Sequence, residues 1–170
     1  MSDKMIENPA LLVFPLLVII AALSDLLTMR IPNWISSALI IGFVVLGLLM
    51  GMTWQMVGAH LMTGVLALAV CFGLFSGGFL GGGDAKLIAA VSLWIGWTNA
   101  ASFILATALF GGILAMMILS CRRFPLPASL MSQAWIQRIA LGPGAIPYGI
   151  AIAMGALVVY PNTVWVHLAG

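Results

Sequence analysis

Polar residues are so sparse along this chain that they act as punctuation. Charge-free stretches run from Asn8 to Ser24, Ile31 to Gly83, Leu87 to Cys121 and Ile139 to Gly170. A helix needs about 20 apolar residues to cross a bilayer. Turn and interface residues cut the stretches into segments of roughly that length. The predicted spans are Pro9–Met29, Trp34–Met52, Met56–Phe75, Asp84–Trp97, Ala101–Cys121 and Ile146–His167. The breaks are Arg30 with Pro32 and Asn33, the polar-aromatic Thr53-Trp54-Gln55, the glycine-rich Ser76–Gly83, and Thr98 with Asn99. A polar connection containing Pro125, Pro127 and Pro143 precedes the last span, which Pro147 opens. Within it, Leu126 to Ile139 mixes apolar residues with Ser, Gln and Arg, as an interfacial amphipathic helix does. The first run lacks the basic start and cleavage site of a secretory signal, so it reads as a retained span.

Composition fixes the class. Of 170 residues, 64% are hydrophobic and 6% charged, against roughly 25% charged in soluble domains. So few charges exclude a water-soluble globule and a disordered chain. What remains is an all-α polytopic membrane protein of about six transmembrane helices, one domain over residues 1–170, with membrane lipid as most of its solvent. A net charge of +2 gives no footprint for nucleic acid. Arg30, Lys86, Arg122, Arg123 and Arg138 all fall on connections 1–2, 3–4 or 5–6, and only Lys4 lies on the other side. By the positive-inside rule those connections are cytoplasmic and both termini lie outside. Cys71 and Cys121 stand far apart in apolar surroundings, so buried free thiols are expected, with no disulfide, metal site or cofactor.

Two carboxylates fall at membrane depth. Asp25 precedes Arg30 by five residues, which puts it roughly 7 Å below the inner interface. Counting back from Trp97 puts Asp84 roughly 9 Å below the same interface. Intramembrane carboxylates cost on the order of 2.5–3.5 kcal/mol and mark function by default. One reading pairs each with a nearby base, Asp25 with Arg30 and Asp84 with Lys86. The other joins the two in one site, where like charges hold one proton between them. One carboxylate then activates water as general base, and the other polarises a scissile carbonyl as general acid. A proton- or cation-coupled carrier and an assembly scaffold are the rival functions. A carrier site belongs near the midplane of inverted repeats, whereas these aspartates lie toward one face.

Gly81, Gly82 and Gly83 crowd the approach to Asp84, where bare backbone admits another chain or serves tight helix packing. Gly81-Gly82-Gly83-Asp84-Ala85-Lys86-Leu87 resembles the Gly-x-Gly-Asp segment of intramembrane aspartyl proteases, and prepilin peptidases above all. Ser24-Asp25-Leu26-Leu27-Thr28-Met29-Arg30-Ile31-Pro32-Asn33 resembles their other signature, and Ile146-Pro147-Tyr148-Gly149 their C-terminal segment. The resemblance implies a six-helix membrane protease of the inner membrane with Asp25 and Asp84 as its catalytic pair near the cytoplasmic face. It implies as substrates pilin-like precursors with a short basic leader before an apolar helix. Larger members carry a cytoplasmic methyltransferase domain with paired cysteines. This chain has no Cys-x-x-Cys and resembles the short forms of tight-adherence (Flp-type) pilus systems, so no methylation is expected.

Supporting roles remain open at this level. Lys86 either biases the dyad or holds substrate backbone, or else anchors the span at the interface. Arg30 reads as an anchor and Asn33 as the cap of the second span. His60 and His167 lie toward the outer half and read as structural.

Overall fold

The computed structural model describes residues 9–123, 133–141 and 146–168, and these are helical with short connections. A 3-10 turn, Pro9–Leu12, leads into α1 (Val13–Thr28). Then come α2 (Asn33–Leu49), α3 (Trp54–Ser76), α4 (Gly82–Ile95) and α5 (Trp97–Cys121). The short α6 (Ala134–Leu141) precedes α7 (Tyr148–Val159), a 3-10 turn (Tyr160–Asn162) and α8 (Val164–Leu168). Among the described residues, α3, α5 and the α7–α8 stretch are long and apolar enough to cross a membrane, and α1 and α2 are shorter apolar helices. The architecture is that of an all-helical polytopic membrane protein.

The centre of the bundle is α4, which packs on α2, α3, α5 and α7. Its residues Ala89 to Ile95 are buried without a gap, as befits a helix enclosed all round. Small residues let its neighbours approach: at Gly64 of α3 a Cβ would lie 3.3 Å from Leu93 and 3.4 Å from the Ala89 carbonyl. The second inner helix is α7, which packs on α1, α5 and α4. By contrast α3 and α5 expose long apolar faces, the surface that lipid covers.

One end of the bundle is locked by aromatic rings. Trp94 of α4 and Trp165 of α8 are fully buried with centroids 4.6 Å apart, and Phe14 of α1 lies 4.6 Å from Tyr160. Each buried polar tip finds a partner. Trp94 Nε1 donates to the Leu39 carbonyl (2.8 Å), Trp165 Nε1 to that of Trp94 (2.9 Å), and Tyr160 Oη to that of Leu11 (3.2 Å). His60 of α3 joins the cluster. Its Nδ1 lies 2.7 Å from the Leu93 carbonyl oxygen and its ring stacks on Phe43. This end therefore fixes α1, α2, α3, α4 and α7 relative to one another, and the opposite ends of α1, α4 and α7 meet in consequence.

Several boundaries differ from the sequence reading. The fifth span begins at Trp97, so Thr98 and Asn99 lie in its first turn and do not break it. The break is Gly96, at φ 73°, where a side chain would strike the His60 ring at 2.7 Å. The glycine turn is shorter than expected, because Gly82 and Gly83 already belong to α4. The last span is interrupted at Tyr160–Asn162. Of the predicted amphipathic stretch, Ala134 onward is helical, and residues 126–132 lie outside the described residues. Cys71 is buried as expected, but Cys121 is exposed at the end of α5.

Candidate active site

Asp25 lies in the last turn of α1, where the carbonyl of the same residue accepts the Met29 N–H (2.8 Å) and closes the helix. Met29 takes a left-handed conformation, and the Ser24 hydroxyl bonds the Arg30 carbonyl at 2.9 Å. This turn sends the chain back toward α2. The Asp25 side chain points inward and is only 6% exposed. Its Oδ2 accepts the Gly149 backbone N–H at 2.7 Å. Gly149 is in the first turn of α7, where N–H groups lack intrahelical acceptors and the helix dipole favours an anion. A Cβ on Gly149 would sit 2.9 Å from both Cβ and Oδ2 of Asp25, so only glycine fits there.

Asp84 lies in the first turn of α4, also where the dipole favours negative charge. The three preceding glycines each face a different neighbour. A Cβ on Gly81 would meet Asp84 Oδ2 at 3.0 Å, one on Gly82 the Phe75 ring at 3.3 Å, and one on Gly83 the Ile31 Cβ at 3.3 Å. Gly83 thus lets the turn that follows Asp25 settle against the start of α4. Tyr148, next to the Gly149 that binds Asp25, lines the same cleft as Asp84, so the start of α7 lies between the two acids' helices. The Tyr148 ring is seated against α5, where a Cβ on Gly111 would lie 2.6 Å from its hydroxyl.

Among the described residues, neither aspartate is paired with its neighbouring base. Lys86 is exposed and donates to Asn33 Oδ1 at 3.1 Å. Two residues apart on a helix, Asp84 and Lys86 project to different sides. Asp84 lines a cleft of about 670 Å³ between α3 and α5. Lys86 and Asn33 line a separate groove of about 430 Å³ between α2, α3 and α4. The structure therefore gathers Asp25, Asp84 and the three glycines, and sets Lys86 and Asn33 apart as a tie between α4 and α2. Asn33 is the first residue of α2, with Pro32 as the cap position, so it does not cap the helix as expected. Arg30 is exposed and contributes its carbonyl to the α1–α2 turn. His60 is built into the aromatic core; Leu93, which it contacts, is nine residues beyond Asp84, or roughly 13 Å along α4.

The basic α6 segment braces this end. Arg138 Nη1 donates to the Leu27 carbonyl and Arg122 Nε to that of Ile139, each at 2.9 Å. The contribution of Gly149 was not foreseen from the sequence, although Pro147 followed by Gly149 at the start of an apolar run signals a helix N-terminus. Among the described residues no cluster of His, Cys, Asp and Glu fits a metal ion.

No curated protein and no solved structure matches the chain. The model of the type IV leader peptidase family matches residues 12–116, a stretch that includes both Asp25 and Asp84. The match spans more than half of the chain, which therefore belongs to the type IV leader peptidase family.

Proposed function

We propose that this peptidase is an aspartic endopeptidase whose catalytic pair is Asp25 and Asp84, and that it removes the basic leader from pilin-like precursors of the Flp type. The observation that carries this reading is a pair of carboxylates, buried Asp25 at the end of α1 and half-buried Asp84 at the start of α4, neither ion-paired among the described residues, with Asp84 lining an apolar cleft. Carboxylates within membrane-spanning helices and without an ion-pair partner are costly and mark function. In this reading the enzyme sits in the bacterial inner membrane with the dyad toward the cytoplasm. The distribution of Arg30, Lys86, Arg122, Arg123 and Arg138 supports that orientation.

The roles of the two acids follow from their partners. Helix dipoles favour charge at both acids, but Asp25 also accepts the Gly149 N–H, which favours its ionised form over that of Asp84. Asp25 is then the base, and the shared proton rests on Asp84. Asp25 takes a proton from water as its oxygen attacks the scissile carbonyl. Asp84 gives its proton to the carbonyl oxygen, which forms a neutral gem-diol. On collapse Asp84 recovers a proton from the diol, and Asp25 passes its own to the departing amine. Each aspartate ends as it began. Gly81 lets the Asp84 carboxylate fold back close to bare backbone, since a Cβ there would lie 3.0 Å from its Oδ2.

Co-expression with leader-bearing precursors tests the assignment. The wild-type chain converts the precursor to a faster-migrating form. Asp84→Asn, inserted and folded, leaves it uncleaved. Conversion by Asp84→Asn at the wild-type rate rejects the proposal. A carrier predicts normal cleavage with altered ion flux, and a scaffold predicts a misassembled variant.

A further inference from the structure

We propose that the cleft between α3 and α5 is the docking site for the apolar segment following the scissile bond, which enters sideways from the bilayer as a helix. This inference rests on the peptidase reading above and concerns where the substrate lies.

The walls of the cleft come from helices that scarcely touch each other: α3 rests on α4, and α5 rests on α4 and α7. Between them the cleft reaches Asp84, Ile88 and Ser92 of α4. Asp84 and Tyr148 stand toward one end of this cleft and Trp97 toward the other, with Leu66, Ile88 and Ile104 among the residues between. From Asp84 to Ser92 the floor runs roughly 12 Å, about two helical turns. Charge is therefore confined to one end of a trough that is otherwise apolar but for small side chains such as Thr63, Ser92 and Thr107.

That polarity selects the occupant. A chain held with one peptide bond at Asp84 and continuing toward Trp97 must present apolar side chains to Leu66 and Ile104. It also lies beside lipid, so its backbone must satisfy its own hydrogen bonds, which a helix does. A basic leader is too costly to desolvate in such a trough and stays on the far side of Asp84. An apolar helix preceded by a basic leader is the chemistry this arrangement recognises, and lipid chains fill the trough between turnovers.

Photo-crosslinking tests the placement. The full chain is reconstituted in vesicles with a photoreactive residue at Leu66 or Ile104. Matched controls carry the same residue at Ile41 or Leu48, which are exposed on α2 away from the cleft. An Asp25→Asn background retains the precursor. The two cleft positions should label the apolar residues just after the leader junction, and the α2 positions should not. Labelling from α2 as strong as from the cleft overturns the inference. So does absence of labelling from both cleft positions when the same labels in an active background permit cleavage. A second variant needs no trapped complex. Ala108→Trp narrows the cleft and should lower kcat/KM for the full precursor by about tenfold or more, whereas Leu48→Trp should not. Wild-type kcat/KM in Ala108→Trp contradicts the inference. If Asp84→Asn still cleaves, the aspartic reading itself fails. If cleavage needs Asp84 while labelling maps elsewhere, only the docking site fails.

Discussion

Adding one methyl group at Gly149 tests how the catalytic geometry is held. The new Cβ in Gly149→Ala falls 2.9 Å from both Cβ and Oδ2 of Asp25, closer than such atoms approach, so one of the two must move. Asp25 is buried in the last turn of α1 and cannot yield without lengthening its 2.7 Å bond from the Gly149 N–H. A hydrogen bond to a charged group contributes about 1.5–3 kcal/mol. Lost in the reacting complex, it lowers kcat by roughly 10- to 150-fold. Helix propensity acts in the opposite direction, because alanine favours a helix over glycine by about 1 kcal/mol in its interior and less in a first turn. Thermal stability should therefore fall much less than activity. Gly58→Ala on α3 is the control, since no atom lies within 4 Å of its new Cβ. It should keep wild-type kcat with equal or higher thermal stability. The assay is initial-rate cleavage of a precursor by purified, vesicle-reconstituted enzyme, with KM measured separately. Wild-type kcat in Gly149→Ala would refute the claim that α7 positions Asp25.

Other consequences are testable in the same preparation. Gly83→Leu should force Ile31 away from α4 and cost about 1–3 kcal/mol by overpacking, read as a lower unfolding midpoint together with reduced kcat. His60→Ala should lower stability by about 1–3 kcal/mol, because it removes the contact with the Leu93 carbonyl and the packing on Phe43, yet leave the rate at low temperature near wild type. The pH–rate profile should be a bell. Below its acid limb both aspartates are protonated and no base remains; above its basic limb both are ionised and no acid remains. Asp84→Asn or Asp25→Asn should abolish the bell rather than shift it, and a flat wild-type profile contradicts a shared proton.

The carboxylates were legible because cost makes them conspicuous. In a chain with four acidic residues, Asp25 and Asp84 stand out because each borders or interrupts a long apolar run. The spans were legible for a related reason: lipid requires apolar helices of set length, so hydropathy alone locates them. What escaped detection was set by contacts distant in sequence. Gly96 ends α4 by turning to φ 73°, and the His60 ring beside it leaves room for no side chain, a contact from α3 that the neighbouring sequence does not show. Thr98 and Asn99 looked like a break, yet they open α5, where Asn99 Nδ2 donates to the Asn162 carbonyl at 3.3 Å. The division of α7 from α8 brings Trp165 under Trp94, again a long-range demand. Lys86 looked like a partner of Asp84 by proximity along the chain. Helical geometry turns it to another groove, which the spacing of two residues already indicated.

The most direct test of the account is the mass of the peptides released by the purified chain alone. In vesicles with a leader-bearing precursor, the wild-type chain should release a single leader, cut at its junction with the apolar helix. Asp25→Asn and Asp84→Asn should each slow that release by about 10²–10⁴-fold while unfolding at the wild-type temperature. Release at the wild-type rate by either folded variant would contradict the claim that these two acids cut the bond together.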